Sequence, residues 1–319
     1  MGKVKSILGD ILPLITDIGY YFSAKDGGKF MKIGFVILVY GHYDMVLDCI
    51  TQLQKIEGIE DAEIVIVDNA SPDGTGQKLK DYYLEHPYIS VILNKENIGF
   101  AKGNNIGYKF AKNNLGCDVI VVMNDDVMIY DKNFIRQLEC VVVENPDTAI
   151  IAPDIIDVKR NKHTNPCRVN KPGNKEIHKM LIKYYVSLIF LHLNINYYKL
   201  KKDVKINNID EKQIRINNVM PHGPCIIYCP KWIKNEEKAF YSGTFLYAEE
   251  YCLYSYSLFS NNRVDYIPSL VVSHLAEGTV DKDNKTEKKR RLFRYRNQLK
   301  SMKQYLRFDR DIERYWNEE

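Results

Sequence analysis

The sequence has no long apolar run and no strong excess of charge of one sign. No stretch of the 319 residues approaches the roughly 18 apolar residues that a membrane-spanning helix needs, and we find no secretory signal pattern. Lysine and arginine number 45 against 41 aspartates and glutamates, far from the basic bias of a dedicated nucleic-acid binder. We therefore expect a cytoplasmic protein, or one peripheral on the inner face of the cell membrane, with no nucleic-acid partner.

Cysteine is scarce and its spacing is uninformative for disulfides. The chain has seven cysteines, an odd number, with no C-x-x-C pair. This pattern argues against a disulfide framework and favours reduced thiols, as in the cytosol. Cys225 and Cys229 stand four residues apart, and we interpret them as packing residues.

Short aliphatic runs alternate with amphipathic, helix-length segments from residue 33 onward. The runs are GFVILVY, AEIVIVD, ISVILN and CDVIVVMND. Such alternation predicts an α/β fold with a Rossmann-like, mostly parallel sheet flanked by helices on both faces. Ligands of these sheets bind outside the carboxyl ends of the strands. The polar residues at those ends are Tyr40–His42, Asp68–Gly74, Asn94–Asn97 and Asn124–Asp126.

The alternation weakens in the second half of the chain. After Pro153 comes a region rich in lysine and asparagine, roughly residues 158–216, in which we predict no strand. Strands are predicted again in CIIYCP and in DYIPSLVVSH, which ends on His274, with a helix over the acidic and aromatic run FLYAEEYCLYSY between them. Residues 286–306 are typical of a basic amphipathic helix, which would form a C-terminal helical extension.

Two apolar segments leave association with a membrane surface open. Residues 7–18 place apolar pairs at helical spacing, and residues 181–193 are dense in aliphatic and aromatic side chains beside lysines. Each is typical of an interfacial helix, and equally of a helix packed on its own domain or on a second subunit, so a homo-oligomer also stays open. Basic runs at 199–205 and 285–296 suit an anionic membrane or a phosphorylated substrate, although such runs are most often solvated faces.

Carboxylates follow two of the predicted strands. Asp68 begins the turn-forming stretch DNASPDGT, where it would act as a turn and helix cap or accept hydrogen bonds from a base or ribose. Asn124, Asp125 and Asp126 end the apolar run CDVIVVM. Burying an unpaired carboxylate costs several kcal/mol, so this strand end is interpreted as a site. Hard oxygens suit Mg²⁺ or Mn²⁺ beside substrate phosphates.

Three other groups are candidates for binding or catalysis. The stretch NIGFAKGNNIG at residues 97–107 carries glycines at the start of a predicted helix, where a phosphate is favoured, although it has neither the dinucleotide nor the P-loop spacing. His274 is a candidate metal ligand at a strand end. Glu249 and Glu250 are candidates for a general base, and adjacent residues cannot point the same way, so we expect one of them to face the site.

Taken in order, the segments VILVYGHYDMVLDCI, VDNASPDGT, NIGFAKGNNIG, MNDDV, HGPCIIY, FLYAEEYCLYSY and VVSHLAEGT closely resemble the family 2 glycosyltransferases of the GT-A fold. The resemblance covers about residues 32–306 and is closest to the rhamnosyltransferase-like branch that builds bacterial surface polysaccharides. It implies inverting sugar transfer from a nucleoside-diphosphate sugar to a hydroxyl of a surface-polysaccharide or lipid-linked glycan acceptor, with Mn²⁺ or Mg²⁺ as cofactor. We expect dTDP-rhamnose or a UDP-hexose as donor.

The resemblance also implies a role for each candidate residue. Glu250 or Glu249 would be the catalytic base, and Asp126 and His274 would hold the metal. The residues that would bind the nucleotide sugar are Tyr40, Asp68, Asn97, Gly99, Lys102 and Asp125. His222 and Gly223 stand where acceptor and sugar usually meet in this family.

The sequence departs from the family pattern at two points. Asn124 replaces the first aspartate of the DxD-type motif, a change common in this branch. The family's E-D-x-D-L reads here E-E-Y-C-L, with Glu250 and Cys252 in the places of its two aspartates. Glutamate still serves as a base, one methylene longer, whereas the loss of the second aspartate alters the acceptor end.

The expected domain boundaries follow from the resemblance. Residues 1–31 would be an N-terminal amphipathic segment and residues 281–319 a basic C-terminal helical segment. The GT-A domain between them would divide into a nucleotide-sugar half, 32–157, and an acceptor half, 158–280.

Two other functions remain open at this stage. A sugar-phosphate nucleotidyltransferase uses a similar sheet and the same metals, but GHYDM follows the first strand where a triphosphate loop rich in glycine and arginine is expected. A non-catalytic descendant that binds a nucleotide sugar or a glycan is the third hypothesis, because the base motif is altered. Turnover of a sugar nucleotide separates the first function from the third, and release of pyrophosphate marks the second.

Overall fold

The computed structural model describes residues 31–193, 214–276 and 286–318. A compact unit begins at Lys32 and holds every described helix and strand. The apolar segment 7–18 and the basic run 199–205, both singled out in the sequence, lie outside the described residues.

The first half of this unit alternates strands and helices, as predicted. The elements are β1 (Ile33–Val39), α1 (Tyr43–Leu53), β2 (Glu63–Asp68), α2 (Thr75–Tyr82), β3 (Ile89–Leu93), α3 (Phe100–Asn113), β4 (Val119–Asn124), β5 (Val127–Met128) and α4 (Phe134–Glu144). Strands β1, β2 and β4 are almost entirely buried because both faces of the sheet are covered, whereas the edge strand β3 is only partly buried.

The second half adds longer strands and the C-terminal helices. The elements are β6 (Thr148–Asp157), β7 (Lys162–His163), α5 (Asn174–His192), β8 (Ile216–Asn217), β9 (Cys225–Tyr228), α6 (Pro230–Asn235), α7 (Glu249–Phe259), β10 (Arg263–His274), α8 (Glu287–Phe308) and α9 (Ile312–Asn317).

One mixed sheet joins the two halves. Its strand order is β3-β2-β1-β4-β9-β6-β10-β5, with β7 beside β6 and β8 beside β10. Strands β1 to β4 of the first half are parallel, whereas β9 runs antiparallel to both of its neighbours, β4 and β6. β6 and β10 are parallel to each other. The sheet is therefore parallel in the predicted half and mixed in the other.

The sheet continues past Pro153, where the predicted alternation of strands and helices weakens. β6 continues through Pro153 to Asp157 and pairs with β10 along its length. A proline is tolerated in a strand at an irregularity, and here the register of β10 shifts between Ile267 and Val271, directly after the pair Pro153 and Ile267. The short strands β7 and β8 fall in or at the end of the region, roughly residues 158–216, in which no strand was predicted, so that prediction is wrong.

Strand register brings the predicted polar ends to one edge of the sheet. Val39 pairs with Asp68 between β1 and β2, Asp68 pairs with Leu93 between β2 and β3, and Asn124 pairs with Leu38 between β4 and β1. Parallel strands end at the same edge, so residues that are far apart in the sequence become neighbours there.

Helix α5, which contains most of the apolar segment 181–193, packs in part on its own domain. It packs one face on α8, where the rings of Tyr184 and Tyr295 lie 6.0 Å apart. Ile182, Tyr185 and Ile189 of the same helix stay exposed, to 62%, 44% and 56%. Within the described ranges, no helix combines the length and the apolar character needed to cross a membrane.

An aromatic cluster packs α7 against α9. The ring of Tyr256 on α7 stacks on Trp316 of α9, with ring centroids 3.7 Å apart. Both side chains donate hydrogen bonds to the buried carboxylate of Glu236, from the Tyr256 hydroxyl at 2.7 Å and the Trp316 indole at 2.9 Å. This packing holds the helix that begins with Glu249 and Glu250.

Candidate active site

A turn after β2 fixes Asp68 at the sheet edge. Asp68 is 4% exposed, and its carboxylate accepts hydrogen bonds from the backbone N–H of Ser71, at 3.1 Å, and from the Ser71 hydroxyl. The Ser71 oxygen in turn accepts the N–H of Gly41 at 2.6 Å, which ties this turn to the end of β1. Asp68 thus makes the turn contacts that its sequence predicted, and its contact with a nucleotide stays a prediction. Tyr40, half-buried, directly follows β1 beside this turn.

Asn69 connects the ends of β2 and β3 with the loop before α3. Its amide NH₂ donates to the Asn97 side-chain oxygen at 3.0 Å and to the Gly99 carbonyl at 3.2 Å. Its amide oxygen accepts hydrogen bonds from the Asn94 side chain at 3.1 Å and from the Ile98 N–H at 3.2 Å. Asn69 is 3% exposed, so these bonds are shielded from water. Asn97 therefore shapes the loop through its side chain.

The glycines of α3 allow close approach of protein to the helix. A Cβ on Gly103 would lie 2.5 Å from a methyl group of Leu38, and one on Gly107 would lie 2.4 Å from Val36. Gly99 has φ of 87° and ψ of 175°, which is essentially a glycine-only conformation. A Cβ there would lie 2.6 Å from the carbonyl oxygen of Phe245, which accepts the N–H of Phe100 at 2.7 Å.

Replacing Gly99 with alanine should destabilise the fold by about 2–4 kcal/mol, because it combines backbone strain with a clash against main chain. Gly116→Ala is the matched control. Gly116 also has positive φ, 67°, but nothing lies within 4 Å of a Cβ placed there, so only about 1 kcal/mol of strain is expected. Urea unfolding measures both values. Equal losses in the two variants would contradict the clash with Phe245.

The acidic end of β4 faces the end of β10. β5 pairs antiparallel with the last residues of β10, and His274 lies opposite Val127. This pairing brings the His274 Nε2 to 3.2 Å from the Asp126 Oδ2. Asp125 and Asp126 are 8% and 3% exposed. Two buried carboxylates and an imidazole therefore meet at one edge of the sheet.

This donor set is chemically suited to a divalent cation. Carboxylate oxygens with one imidazole bind Mn²⁺ or Mg²⁺. No group of three or more histidine, cysteine, aspartate or glutamate side chains in the described ranges is arranged to hold a metal alone. Mg²⁺ commonly needs only one or two carboxylates when substrate phosphates complete its coordination, so Asp126 and His274 fit a cation that arrives with a nucleotide.

Residues 222–224, the segment before β9, connect this edge of the sheet to the two glutamates. The N–H of Asn124 donates to the Pro224 carbonyl at 2.9 Å. The ring centroids of His222 and His274 lie 6.4 Å apart. Burial, and then the charge of His274, lower the pKa of His222 to about 4, and its Nδ1 lies 3.0 Å from the Thr164 hydroxyl. A neutral imidazole thus stands between the acidic edge and Gly223.

Glu250 is directed toward the segment before β9. Its Oε1 accepts the N–H of Gly223 at 3.3 Å, and a Cβ at position 223 would lie 2.8 Å from the same oxygen. A side chain at position 223 would therefore push the Glu250 carboxylate away from the backbone. Burial raises the pKa of Glu250, and backbone hydrogen bonds, including that from Gly223, offset part of the rise.

Glu249 points into the protein. It is 3% exposed, and its Oε1 is buried without a hydrogen-bond partner. Burial, and then the charge of Glu250, raise the pKa of Glu249 to about 8. A protonated carboxyl group fits such a buried position better than an anion. The expectation that only one of the two faces the site therefore agrees with their different surroundings.

A comparison with known families bears directly on this arrangement. Residues 35–202 match the description "Glycosyl transferase family 2", which is more than half of the chain. The chain belongs to glycosyl transferase family 2.

Two curated relatives of this family 2 chain match it over shorter stretches. One is "Uncharacterized glycosyltransferase YfnE" of Bacillus subtilis, 28% identical over 107 residues, which are 34% of this chain and 26% of the relative. The other is "Low-salt glycan biosynthesis hexosyltransferase Agl10" of Haloferax volcanii, 31% identical over 103 residues, 32% of this chain and 31% of the relative. The match therefore spans about a quarter to a third of these relatives.

Solved structures confirm the GT-A fold. S. aureus TarS (residues 1–349) is similar at a TM-score of 0.50 and 16% identity, covering 76% of this chain and 60% of that one. Mannosyltransferase PcManGT from Pyrobaculum calidifontis, in complex with GDP-Man and Mn²⁺, is similar at a TM-score of 0.51 and 12% identity, covering 89% of this chain and 72% of that one. At these identities the likeness concerns the fold.

Three residues of this family 2 chain were missed by sequence reasoning. Asn69 organises the nucleotide-side loop, and Asn165 accepts the N–H of His222 at 3.0 Å. The signal for Asn69 was its place directly after a buried strand; Asn165 carried no such signal. Asn105 was also missed: its oxygen accepts the N–H groups of Ala239 and Phe240, at 3.0 and 2.9 Å.

Two predicted positions lie apart from these contacts. Lys102 is exposed and lines a pocket formed with α8, and its ammonium makes no hydrogen bond or ion pair with the described residues. Cys252, in the place of the family's second aspartate, is fully buried in the core. All seven cysteines are free thiols.

Proposed function

We propose that this chain is an inverting, metal-dependent hexosyltransferase that moves a sugar from a nucleoside-diphosphate sugar to a hydroxyl of a glycan acceptor. The observation that carries the proposal is the series of contacts from Asp126 to His274, 3.2 Å apart, and onward through His222 to Gly223 and Glu250. It joins a candidate site for the leaving diphosphate to a candidate base. Membership of family 2 supports the reaction class.

Glu250 is the base in this proposal. Inverting transfer forms a bond from the acceptor oxygen to the sugar C1 while the bond from C1 to the diphosphate breaks, and the proton of the hydroxyl passes to a carboxylate. Glu250 is half-buried and borders the segment before β9, whereas Glu249 is 3% exposed and its Oε1 has no hydrogen-bond partner among the described residues. The ionised form is needed to take a proton, so Glu250 suits the role better.

The donor side would be formed by Tyr40, Asp68, Asn97, Gly99 and Asp125, whereas Lys102, which the resemblance also places there, is exposed and lines the pocket with α8. A divalent ion held by Asp126 and His274 would neutralise the charge that develops on the departing diphosphate. Two solved GT-A structures were obtained with Mn²⁺, one with GDP-Man and the other, GalNAc-T7, with UDP and GalNAc. The resemblance to the rhamnosyltransferase-like branch leads us to propose dTDP-rhamnose or a UDP-hexose as the donor here, and a surface-polysaccharide or lipid-linked glycan as the acceptor.

Calorimetric titration with UDP, dTDP and GDP, each with and without Mn²⁺, tests the proposed donor site. We expect one of them to bind in a Mn²⁺-dependent manner, which would identify the donor class. Absence of binding to all three would favour a non-catalytic descendant. Release of pyrophosphate from a nucleoside triphosphate and a sugar phosphate would instead indicate a nucleotidyltransferase.

We also propose that the exposed face of α5 docks on an anionic membrane. Ile182, Tyr185 and Ile189 form an apolar stripe, and Lys175, Lys179 and Lys183 lie beside it at four-residue spacing. Apolar and basic side chains on one helix surface are the composition of an interfacial helix. Flotation with phosphatidylglycerol vesicles should recover the wild type but not Ile182→Ser/Ile189→Ser. A wild type that stays with the unbound protein would refute the docking.

A further inference from the structure

A basic pocket lies between the beginning of α3, residues 242–245 and α8. It has a volume of about 510 Å³. Among the residues that the structure describes, none that lines the pocket is acidic, although acidic and basic residues are nearly balanced in the whole chain. The basic lining residues are Lys102, Arg296, Lys300, Lys303 and Arg307.

Few contacts within the protein neutralise these charges. The Arg296 guanidinium lies 3.3 Å from the Nε2 of His192. The Lys303 ammonium lies 4.9 Å from the ring centroid of Tyr185. The side chains of Lys102, Lys300 and Arg307 make no hydrogen bond or ion pair with the described residues. Like charges gathered in a concave surface raise the local concentration of anions.

The position of Lys102 adds to this excess of positive charge. It lies in the first turn of α3, which has no acidic residue. The helix dipole disfavours a cation at that end. A bound anion would offset both the dipole and the mutual repulsion of the basic side chains.

The rest of the lining is held in place. The Ser301 hydroxyl donates to the Leu246 carbonyl at 2.8 Å, and the Gln304 amide donates to the Tyr241 hydroxyl at 2.6 Å. These bonds fasten α8 to the segment that runs directly into α7, which begins with Glu249 and Glu250. The pocket wall and the candidate base are therefore parts of one continuous segment.

We propose that this pocket binds a phosphate or diphosphate group of the acceptor. The assignment of this phosphate to the acceptor rests on the proposed function, whereas the affinity for phosphate rests on the pocket alone. Lysine and arginine are the side chains that recognise phosphate. The donor diphosphate is assigned to Asp126 and His274, and the pocket wall at residues 242–245 continues into the helix that begins with Glu249 and Glu250. We therefore assign the anion in the pocket to the other substrate. The group could come from a lipid-linked diphosphate or from a soluble phosphorylated glycan.

Calorimetry with inorganic pyrophosphate in EDTA tests the pocket without the metal. The wild type should bind, and Lys300→Gln/Arg307→Gln should bind at least about tenfold more weakly, since each charge-assisted hydrogen bond contributes roughly 1.5–3 kcal/mol. Lys289→Gln/Arg294→Gln is the matched control, because it removes the same charge from exposed positions of α8 outside the pocket. No binding by the wild type, or equal weakening in both variants, would overturn the proposal.

Nucleotide binding separates this proposal from the proposed function. A nucleotide with Mn²⁺ should bind the pocket variant as it binds the wild type, which also verifies folding, and saturating nucleotide should not displace pyrophosphate. Displacement would assign the pocket to the donor and overturn the acceptor role. If no nucleotide binds but pyrophosphate binding depends on the pocket, the proposed function fails and the phosphate site stands.

Vesicle binding identifies the source of the phosphate. Recruitment to phosphatidylglycerol but not phosphatidylcholine vesicles that is weaker in Lys300→Gln/Arg307→Gln than in Lys289→Gln/Arg294→Gln would support a lipid-linked group, because both variants keep the same α5 face. Pyrophosphate binding without any pocket-dependent recruitment would support a soluble phosphorylated acceptor.

Discussion

Asp126→Ala is expected to abolish Mn²⁺-dependent binding of the nucleotide. Asp126 is 3% exposed, and its carboxylate lies 3.2 Å from His274, the other candidate ligand. Changes to residues that only support metal ligands reduce metal affinity by about 10–100-fold, so loss of a ligand should weaken binding by at least about 100-fold. Calorimetric titration in Mn²⁺ measures the effect.

Two further variants make the Asp126 result decisive. Asp126→Asn keeps the shape of the side chain and removes its charge, so it should lose binding as the alanine variant does while unfolding at nearly the wild-type urea concentration. Asp147→Ala removes an exposed carboxylate and should leave binding unchanged. Wild-type affinity in Asp126→Asn would exclude Asp126 as a metal ligand.

Glu250→Gln is expected to lower kcat by about 10²–10⁴-fold, the range for removal of a general base. Nucleotide affinity should stay unchanged, because Glu250 contacts Gly223 and not the strand ends assigned to the donor. Glu249→Gln is the matched control on the adjacent residue. Glutamine resembles a protonated glutamate, the form favoured by the raised pKa of Glu249, so its kcat should change by no more than a few-fold.

The pH dependence of kcat provides a second test of the base. A base must be ionised, so the rate should fall as pH decreases through its pKa. Burial raises the pKa of Glu250, which moves this fall above the ordinary glutamate value of about 4.3. The acid limb should persist in Glu249→Gln and vanish from the residual rate of Glu250→Gln. The opposite pattern would assign the base to Glu249.

The first half of the fold could be predicted because its signals are local. Each buried parallel strand is a continuous apolar run, and each is followed by a helix with one apolar face. The polar residues at the strand ends could also be found, since a chain that leaves a buried strand changes composition abruptly. Asp68 and Asp126 were selected in this way.

The second half could not be predicted as well because its pairings are long-range. No strand was predicted over Thr148–Asp157, because a proline is unusual in a central strand. The register shift in β10 that follows the pair of Pro153 and Ile267 lies more than a hundred residues away. The antiparallel direction of β9 depends on its neighbours rather than on its own four residues.

The sequence by itself determined which residues are available for chemistry: carboxylates at the end of β4, an asparagine- and glycine-rich loop before α3, and two glutamates at the start of α7. Only the tertiary structure decided how they combine. The pairing of β5 with β10 brings His274 to Asp126, and Gly223 receives Glu250 while Glu249 turns into the core. The physical reason is that residue type is local, whereas distance and burial depend on segments that meet only when the sheet is complete.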